Sequence, residues 1–237
     1  MKFEYDGYKV EIDIPEEYKS IGFNLSGGAD SSLWLYILVK YLKDNNRTDT
    51  KIHILTGSYA DKGYGVSTIS NRVLKFVLDE LDAHDVIDTN TQFFKYDRTQ
   101  EDFRSVWLDW WKSGKIDVMT NAMTSMPKDL DAETEDSKGN TVKLFETKDA
   151  PLERGDGTHP IWSYRIPETK THAAYHPFAA VDKKFMVQIY KDYELINTLY
   201  PITRSCECTE AHLCDNWEGH CGDCWWCLER KWAFGKL

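Results

Sequence analysis

The chain lacks the features of a membrane or secreted protein. Its longest uninterrupted apolar run, Leu33–Val39, is far shorter than the roughly 20 residues that span a bilayer. The amino terminus mixes acidic residues with alternating apolar ones and has no continuous apolar centre like that of a secretion signal. We therefore expect a cytoplasmic protein that makes no contact with membranes.

Basic residues are in the minority. The 237 residues include 29 Lys and Arg against 39 Asp and Glu, so the formal net charge is −10. A negative surface repels a phosphate backbone over any long contact, and extended nucleic-acid contact is therefore not expected. Hydrophobic residues make up 41% of the chain, which is enough for a sizeable core and excludes both a disordered chain and a disulfide-stapled miniprotein.

Cysteine is missing from the first 205 residues, and all six cysteines lie between Cys206 and Cys227. Such crowding is unsuitable for a set of disulfides, and in a reducing cytoplasm a bound metal explains the cluster better. Cys221, Cys224 and Cys227 have the C-x-x-C-x-x-C spacing of a knuckle that directs three thiolates at one tetrahedral ion. We predict zinc, with an iron–sulfur cluster or packed free thiols as alternatives.

The spacing leaves the fourth ligand of this metal open. The cysteine candidates are Cys206, Cys208 and Cys214, with His212 and His220 as less favoured donors. Four thiolates would leave no open position for water. The metal is therefore expected to stabilise the tail, at a distance from any catalytic centre.

Apolar periodicity predicts strands that alternate with helices. A hairpin over residues 1–15 turns at Asp6-Gly7, a dipeptide that tolerates positive φ. The predicted elements that follow are Ile21–Leu25 (strand), Leu33–Leu42 (helix), Lys51–Thr56 (strand), Thr68–Leu81 (helix), Thr91–Tyr96 (strand), Gln100–Trp111 (helix), Lys115–Thr120 (strand) and Asp182–Leu195 (helix). This alternation indicates a parallel sheet covered by helices on both faces.

The predicted organisation is a single α/β domain over residues 1–237. Residues 128–158 show no periodicity and are rich in charge, which indicates a surface insertion or a lid outside the core. Residues 203–230 form the zinc-binding tail.

A glycine-rich segment, Ser26–Ser31, joins the first core strand to the first helix. The start of a helix exposes unpaired N–H groups, and glycines let the backbone wrap closely around an anion, so the segment suits a phosphate. Asp30 would repel that phosphate unless it binds Mg²⁺ or caps the helix. The alternative is an ordinary turn with a cap. The segment has no Gly-Lys-Ser/Thr ending of a Walker loop, so cleavage of a γ-phosphate is not expected.

The segment reads SGGADS and resembles the SGGxDS signature of the PP-loop ATP pyrophosphatases, which cleave ATP between its α- and β-phosphates to adenylate a substrate. The resemblance implies a Rossmann-like fold of the adenine-nucleotide-α-hydrolase type. It implies that the pyrophosphate and its Mg²⁺ are bound by Ser26, Gly27, Gly28, Ala29, Asp30 and Ser31. Asp30 and Ser31 would also be catalytic, and by analogy Thr56–Ser58 would lie beside the adenine.

The carboxyl-terminal part resembles a narrower group of this superfamily, the 7-cyano-7-deazaguanine (preQ0) synthases. Those enzymes carry Thr-x-Ser-Cys, then CGxCxxC, then x-x-Arg, and this chain has Thr203–Cys206, CGDCWWC and Leu228–Arg230. The match implies that zinc is held by Cys206, Cys221, Cys224 and Cys227. Fourteen residues separate Cys206 from Cys221, more than is usual in that group.

The same resemblance extends to the helix before the tail. The family has a proline-containing segment and then a lysine near the start of this helix, which correspond here to His176–Phe178 and to Lys183 or Lys184. A lysine in this place can approach the phosphates of ATP, and Lys183 is the predicted catalytic residue. The alternative is a solvated charge on a helix face.

The implied reaction is the ATP-dependent conversion of 7-carboxy-7-deazaguanine and ammonia to 7-cyano-7-deazaguanine, with release of AMP. The segment after the fourth predicted core strand, Thr120–Pro127, departs from the family and shares with it only an asparagine. Two alternatives therefore stay open. One is a PP-loop adenylating enzyme that acts on another base, a tRNA or a protein, and the other is a non-catalytic nucleotide-binding zinc protein.

Aromatic side chains form a last group of candidates. A stacking pocket for a flat base, core packing and a homodimer surface are the three interpretations of this group. Its members are Trp107, Trp110, Trp111, Trp162, Tyr164, Trp225 and Trp226.

Overall fold

The computed structural model describes residues 1–58, 65–95, 101–147, 150, 157–166, 171–206 and 219–237. The strands are β1 (Lys2–Tyr5), β2 (Tyr8–Glu11), β3 (Ser20–Asn24), β4 (Lys51–Ser58), β5 (Ile87–Lys95), β6 (Val118–Thr120), β7 (Glu133–Glu135), β8 (Thr141–Lys143), β9 (Trp162–Ile166) and β10 (Thr171–Tyr175). The helices are α1 (Ala29–Asp44), α2 (Gly65–Leu81), α3 (Glu101–Lys112), α4 (Lys183–Asp192) and α5 (Trp225–Phe234).

Six strands form the central sheet, in the order β5-β4-β3-β6-β10-β9. The five from β5 to β10 pair in parallel, and only β9 runs antiparallel to its neighbour. The predicted α/β class with a mostly parallel sheet is thus confirmed. The sequence analysis did not predict β9 or β10, and β10 (THAAY) carries two alanines and a histidine in place of a β-branched or aromatic run.

Helix α1 explains the longest apolar run of the sequence. Twelve of its 16 residues are buried, and the helix contacts both α2 and α4. The run Leu33–Val39 therefore forms the centre of the core, and the indole of Trp34 donates a hydrogen bond of 2.8 Å to Thr120 Oγ1 at the end of β6. No helix in the described part of the chain is both long and apolar enough to cross a bilayer.

The amino-terminal hairpin forms as its turn dipeptide predicts. Asp6 and Gly7 have φ values of 50° and 78°, and β1 pairs antiparallel with β2 on either side of them. Phe3 and Val10 face each other across the hairpin and are buried in the main core. The second strand ends at Glu11, before the end of the predicted hairpin at residue 15.

Part of the predicted surface insertion, residues 128–158, packs against the tail. Strands β7 and β8 form a small antiparallel hairpin, and the buried side chains of Ala132 and Leu144 join a cluster with Trp225 and Leu228 of α5. This stretch was expected to lie outside the core. It forms one wall of a small second core, and α5 forms the other.

Candidate functional site

The glycine-rich segment lies at the point where the strand order of the sheet reverses. From β3 the chain proceeds to β4 and β5 on one side, whereas β6 and β10 lie on the other. In doubly wound sheets, ligands bind in the crevice outside the carboxyl ends of the strands at such a point. The segment Ser26–Ser31 follows the carboxyl end of β3, and Asn121 follows the carboxyl end of β6.

The conformation of this glycine loop, Ser26–Ser31, requires glycine at its second position. Gly27 has a φ of +76°, and a Cβ there would lie 2.8 Å from Ile69 Cγ2 and 3.1 Å from the backbone nitrogen of Ser70. Within the loop, Ser26 Oγ is 3.0 Å from Ser31 Oγ and accepts a hydrogen bond of 3.3 Å from the Gly28 N–H. The loop is therefore a closed turn pressed against α2.

The N-cap residue of α1 is Gly28, which supplies no side-chain cap. Asp30 lies two residues further along, with Oδ2 beside Lys183 and Oδ1 without a hydrogen bond to any described residue, so it is not the cap that the sequence allowed as an alternative. The hydroxyl of Ser205 accepts a long contact of 3.5 Å from the Ala29 N–H. Backbone N–H groups at a helix start favour a phosphate there.

The carboxylate of Asp30 instead binds a buried lysine. Lys183 Nζ lies 3.0 Å from Asp30 Oδ2 and 2.8 Å from Glu229 Oε2, and the side chains of Lys183 and Glu229 are 3% and 0% exposed. Lys184, the other candidate lysine, lies over the ring of Trp232 at 4.2 Å. The structure therefore brings Lys183, and not Lys184, to the glycine loop.

One lysine shared by two carboxylates leaves this group of three charges with one net negative charge. The second oxygen of Asp30, Oδ1, is buried and makes no hydrogen bond with any described residue. An unpaired buried carboxylate oxygen is costly unless a cation or a donor meets it. Carboxylate oxygens are the ligands that Mg²⁺ prefers, so the chemistry of Asp30 Oδ1 fits that ion.

Four cysteines come together at the start of α5. The Sγ atoms of Cys206, Cys221, Cys224 and Cys227 all lie within 4.8 Å of one another. The distances between Cys221 and Cys227 and between Cys206 and Cys224 are both 3.9 Å. A tetrahedral zinc with Zn–S bonds of about 2.3 Å needs sulfurs about 3.8 Å apart. The cluster could therefore hold a metal such as zinc, with Cys206 as the fourth ligand.

The four thiols also influence one another's protonation. Hydrogen bonding with Cys206 lowers the pKa of Cys221 and raises the pKa of Cys227. Thiolates are the form of cysteine that binds a metal, so metal binding would release the protons of these thiols.

The other ligand candidates of the sequence are not part of this cluster as described. Cys208, His212 and Cys214 lie outside the described residues. His220 Nε2 accepts a hydrogen bond of 3.3 Å from the Ser205 N–H. Burial, and then the charges of Arg230 and Arg204, lower the pKa of His220 to about 4, so its imidazole is neutral and suited to accept.

The cysteine centre is not remote from the glycine loop, contrary to expectation. The Arg204 N–H donates to the Gly27 carbonyl at 2.9 Å, and the Ala29 N–H makes a longer contact of 3.5 Å with Ser205 Oγ. Ser205 directly precedes Cys206, and Arg204 is the residue before Ser205. The sequence could not reveal this, because about 175 residues of chain separate the two segments.

Two polar side chains, Asn121 and His176, directly follow the carboxyl ends of β6 and β10. Asn121 Oδ1 accepts hydrogen bonds from the Met123 N–H at 3.1 Å and from His176 Nδ1 at 2.8 Å. Burial, and then the nearby His159, lowers the pKa of His176 to about 4. His176 is therefore neutral and protonated on Nδ1, which leaves Nε2 as a hydrogen-bond acceptor.

Most of the candidate aromatic residues belong to the core. Trp107 and Trp110 are buried in a cluster with Leu55 and Ile116, and Trp225 is buried under the hairpin of β7 and β8. Trp162 packs on the ring of Tyr175 with a centroid distance of 4.4 Å. Thr56 is buried, and its hydroxyl donates a hydrogen bond to the carbonyl of Leu25, the residue that follows β3. This contact joins β4 to the end of β3.

Two residues of this site were missed by reasoning from the sequence. One is Glu229, which forms an ion pair with Lys183 and directly precedes Arg230. The other is Tyr190, whose Oη donates a hydrogen bond of 2.7 Å to the Ala29 carbonyl. The available signal was the spacing of Lys183 and Tyr190, seven residues apart on one face of α4. No protein-family model matches this chain, and no curated protein is significantly similar to it.

Proposed function

We propose that this protein is an ATP-dependent adenylating enzyme of the PP-loop type, which converts 7-carboxy-7-deazaguanine and ammonia to 7-cyano-7-deazaguanine. The observation that carries the proposal is the glycine loop at the switch point of the sheet, with Asp30 and the buried Lys183 beside the glycine N-cap of α1. The substrate itself is inferred from the resemblance of the terminal motifs. Zinc is the metal proposed for the four-cysteine centre.

The loop residues would act on the leaving pyrophosphate. Backbone N–H groups at the start of α1 and the hydroxyls of Ser26 and Ser31 would stabilise the charge that develops on it. Mg²⁺ bound through Asp30 would neutralise further phosphate charge. Lys183 lies within reach of the same place and would orient Asp30 or approach a phosphate oxygen.

The chemistry requires two adenylations, because a carboxylate is a poor electrophile and an oxide is a poor leaving group. A carboxylate oxygen attacks the α-phosphorus of ATP, and the bond to pyrophosphate breaks. Ammonia then attacks the acyl carbon, AMP departs and a proton is released, which gives the amide. The amide oxygen attacks a second ATP, and loss of AMP and protons from the imidate forms the nitrile. Two ATP thus yield two AMP and two pyrophosphates.

A second candidate is an adenylating enzyme of the same type that acts on another base, a tRNA or a protein. The observation in its favour is the segment Ala122–Pro127, which departs from the preQ0 synthases and directly follows Asn121, the hydrogen-bond partner of His176. A neutral imidazole with a free acceptor suits an N–H group of a substrate, and such a group is not confined to deazaguanines.

The products of ATP cleavage test the proposed chemistry. With ATP, Mg²⁺, ammonium and 7-carboxy-7-deazaguanine, we expect AMP and pyrophosphate, and ADP as the substrate-dependent product would refute it. Mass spectrometry of the base separates the two enzyme candidates, since only the first gives the nitrile.

Asp30→Asn should remove Mg²⁺-dependent turnover, because an amide is a weak ligand for a hard cation. Asp44→Asn, at the exposed far end of the same helix, is the control.

A further inference from the structure

The buried arginine of the metal-binding tail directs its donors at the segment that precedes Cys206. Arg230 is 1% exposed, and its guanidinium stacks on the ring of Tyr200 at 3.9 Å. Nε and Nη2 donate to the hydroxyl and the carbonyl of Tyr200 at 2.9 and 3.1 Å. Nη1 donates to Thr203 Oγ1 at 2.8 Å and contacts Ser205 Oγ at 3.3 Å. A planar guanidinium with several partners holds this segment in one geometry.

Both ends of this contact adjoin ligands of the cysteine centre. Ser205 directly precedes Cys206, and Arg230 lies on α5 three residues after Cys227. A metal bound by these cysteines would therefore hold both ends of the bridge between Arg230 and Ser205. The bridge and the centre form one structural unit.

The same segment contacts the glycine loop on its other side. The Arg204 N–H donates a hydrogen bond to the Gly27 carbonyl, and the hydroxyl oxygen of Ser205 accepts the contact from the Ala29 N–H. A loop with two adjacent glycines loses more conformational freedom on ordering than other sequences do. Contacts from outside the loop reduce that cost at the moment a ligand binds, because they order the loop in advance.

We propose that Arg230 is a positioning residue that acts through Ser205 to hold the glycine loop in its anion-binding geometry. This inference depends on the proposed function in one respect, namely that the loop binds a phosphate. It assigns to the cysteine centre a role beyond stabilising the tail, since the centre carries both partners of the bridge.

Inorganic pyrophosphate and amide hydrogen exchange test this role. Calorimetric titration with pyrophosphate in the presence of Mg²⁺ would compare the wild type with Ser205→Ala, Arg230→Lys and Arg230→Met. Metal content and unfolding midpoint are measured on every sample. We expect binding about tenfold weaker for Arg230→Met, because a charge-assisted contact is lost, with Arg230→Lys in between. Ser205→Ala should weaken binding severalfold and speed amide exchange over residues 27–32 while keeping its metal.

The matched control is Ser137→Ala. Ser137 also contacts the knuckle, since its hydroxyl is 2.9 Å from Asp223 Oδ2, but it has no recorded contact with the glycine loop. This variant should bind pyrophosphate like the wild type. It shows whether any disturbance of the knuckle is sufficient to weaken binding.

Unchanged pyrophosphate affinity and unchanged exchange in Ser205→Ala would overturn the proposal, even if Arg230→Met failed to fold. Equal weakening in Ser137→Ala would also overturn it, because the effect would then be a general one of the tail. A wild type that binds no pyrophosphate would refute the proposed function. The exchange comparison over residues 27–32 would then decide alone whether Arg230 and Ser205 position the loop.

Discussion

Two regions meet at the glycine loop, and they are stabilised by different physical interactions. Helix α1, which follows the loop, is buried almost all round, and each large apolar side chain contributes roughly 1.5–3 kcal/mol through burial. Helix α5 of the tail buries few apolar side chains and instead encloses Glu229 and Arg230, next to the cysteine centre. The α1 region should therefore withstand perturbations that loosen the tail, although the two share one site.

The largest expected effect separates the regions by removing a metal ligand. Cys224→Ser should lose the metal, because three thiolates no longer close the tetrahedron, and should remove metal-binding free energy of about 10 kcal/mol from the tail. Amide exchange should rise over residues 219–237 and at the glycine loop, while the centre of α1 stays protected. Metal analysis and exchange mass spectrometry measure both results.

The controls for this prediction are Cys208→Ser and Cys214→Ser, which should keep the metal. Loss of metal in either of these variants, with retention in Cys206→Ser, would show that Cys206 is not the fourth ligand. Loss of protection throughout α1 in Cys224→Ser would contradict the distinction between the two regions.

The second prediction concerns the ion pairs of Lys183 with Asp30 and Glu229, which join the two regions. Lys183→Met should destabilise the protein by about 3–5 kcal/mol, because the buried carboxylate of Glu229 and the half-buried carboxylate of Asp30 lose their common partner. Urea unfolding measures the change in free energy. Lys183→Met with Glu229→Gln should recover part of the loss, and Lys184→Met, at an exposed position, should cost less than about 1 kcal/mol. A single variant as stable as the wild type would contradict the buried pairing.

A smaller effect concerns the backbone of the loop itself. Gly27→Ala should cost about 3 kcal/mol, because it combines a left-handed φ with a Cβ that meets Ile69 and the backbone of Ser70. Gly114→Ala is the matched control, since Gly114 has a φ of +70° and open space around its Cα. It should cost about 1 kcal/mol in the same unfolding experiment. Equal costs at the two positions would mean that α2 yields to the added methyl group.

The smallest expected effect is the loss of folding stability at low pH that arises from His176. Burial lowers the pKa of His176 from 6.5 to about 4, so the unfolded chain binds a proton between these values and the folded chain does not. Stability from this residue is complete above about pH 6.5 and declines as the pH falls, by about 2 kcal/mol between pH 7 and 5. His176→Gln should flatten that part of the pH profile of unfolding. An unaltered profile would show that His176 titrates normally.

Features that contiguous residues specify could be predicted without the fold. The turn at Asp6-Gly7, the alternation of strands and helices, the glycine loop and the C-x-x-C-x-x-C knuckle are each local, so backbone preferences and spacing were sufficient to predict them. The boundaries of some elements differ by a few residues, as at the amino-terminal end of α1. Strand β10 was not predicted, since its residues, THAAY, lack the β-branched or aromatic run of a typical strand.

Which distant residues share the site depends on the packing of the folded chain. The fold brings Cys206 to the knuckle and Lys183 to the glycine loop, encloses Glu229, and places Arg204 and Ser205 beside that loop. Each of these contacts joins segments that are far apart in the chain, and several bury a charge whose cost is offset only when its partner is in place. Periodicity and spacing describe the preferences of one segment at a time. The packing of α4 and α5 against the start of α1 supplied the rest.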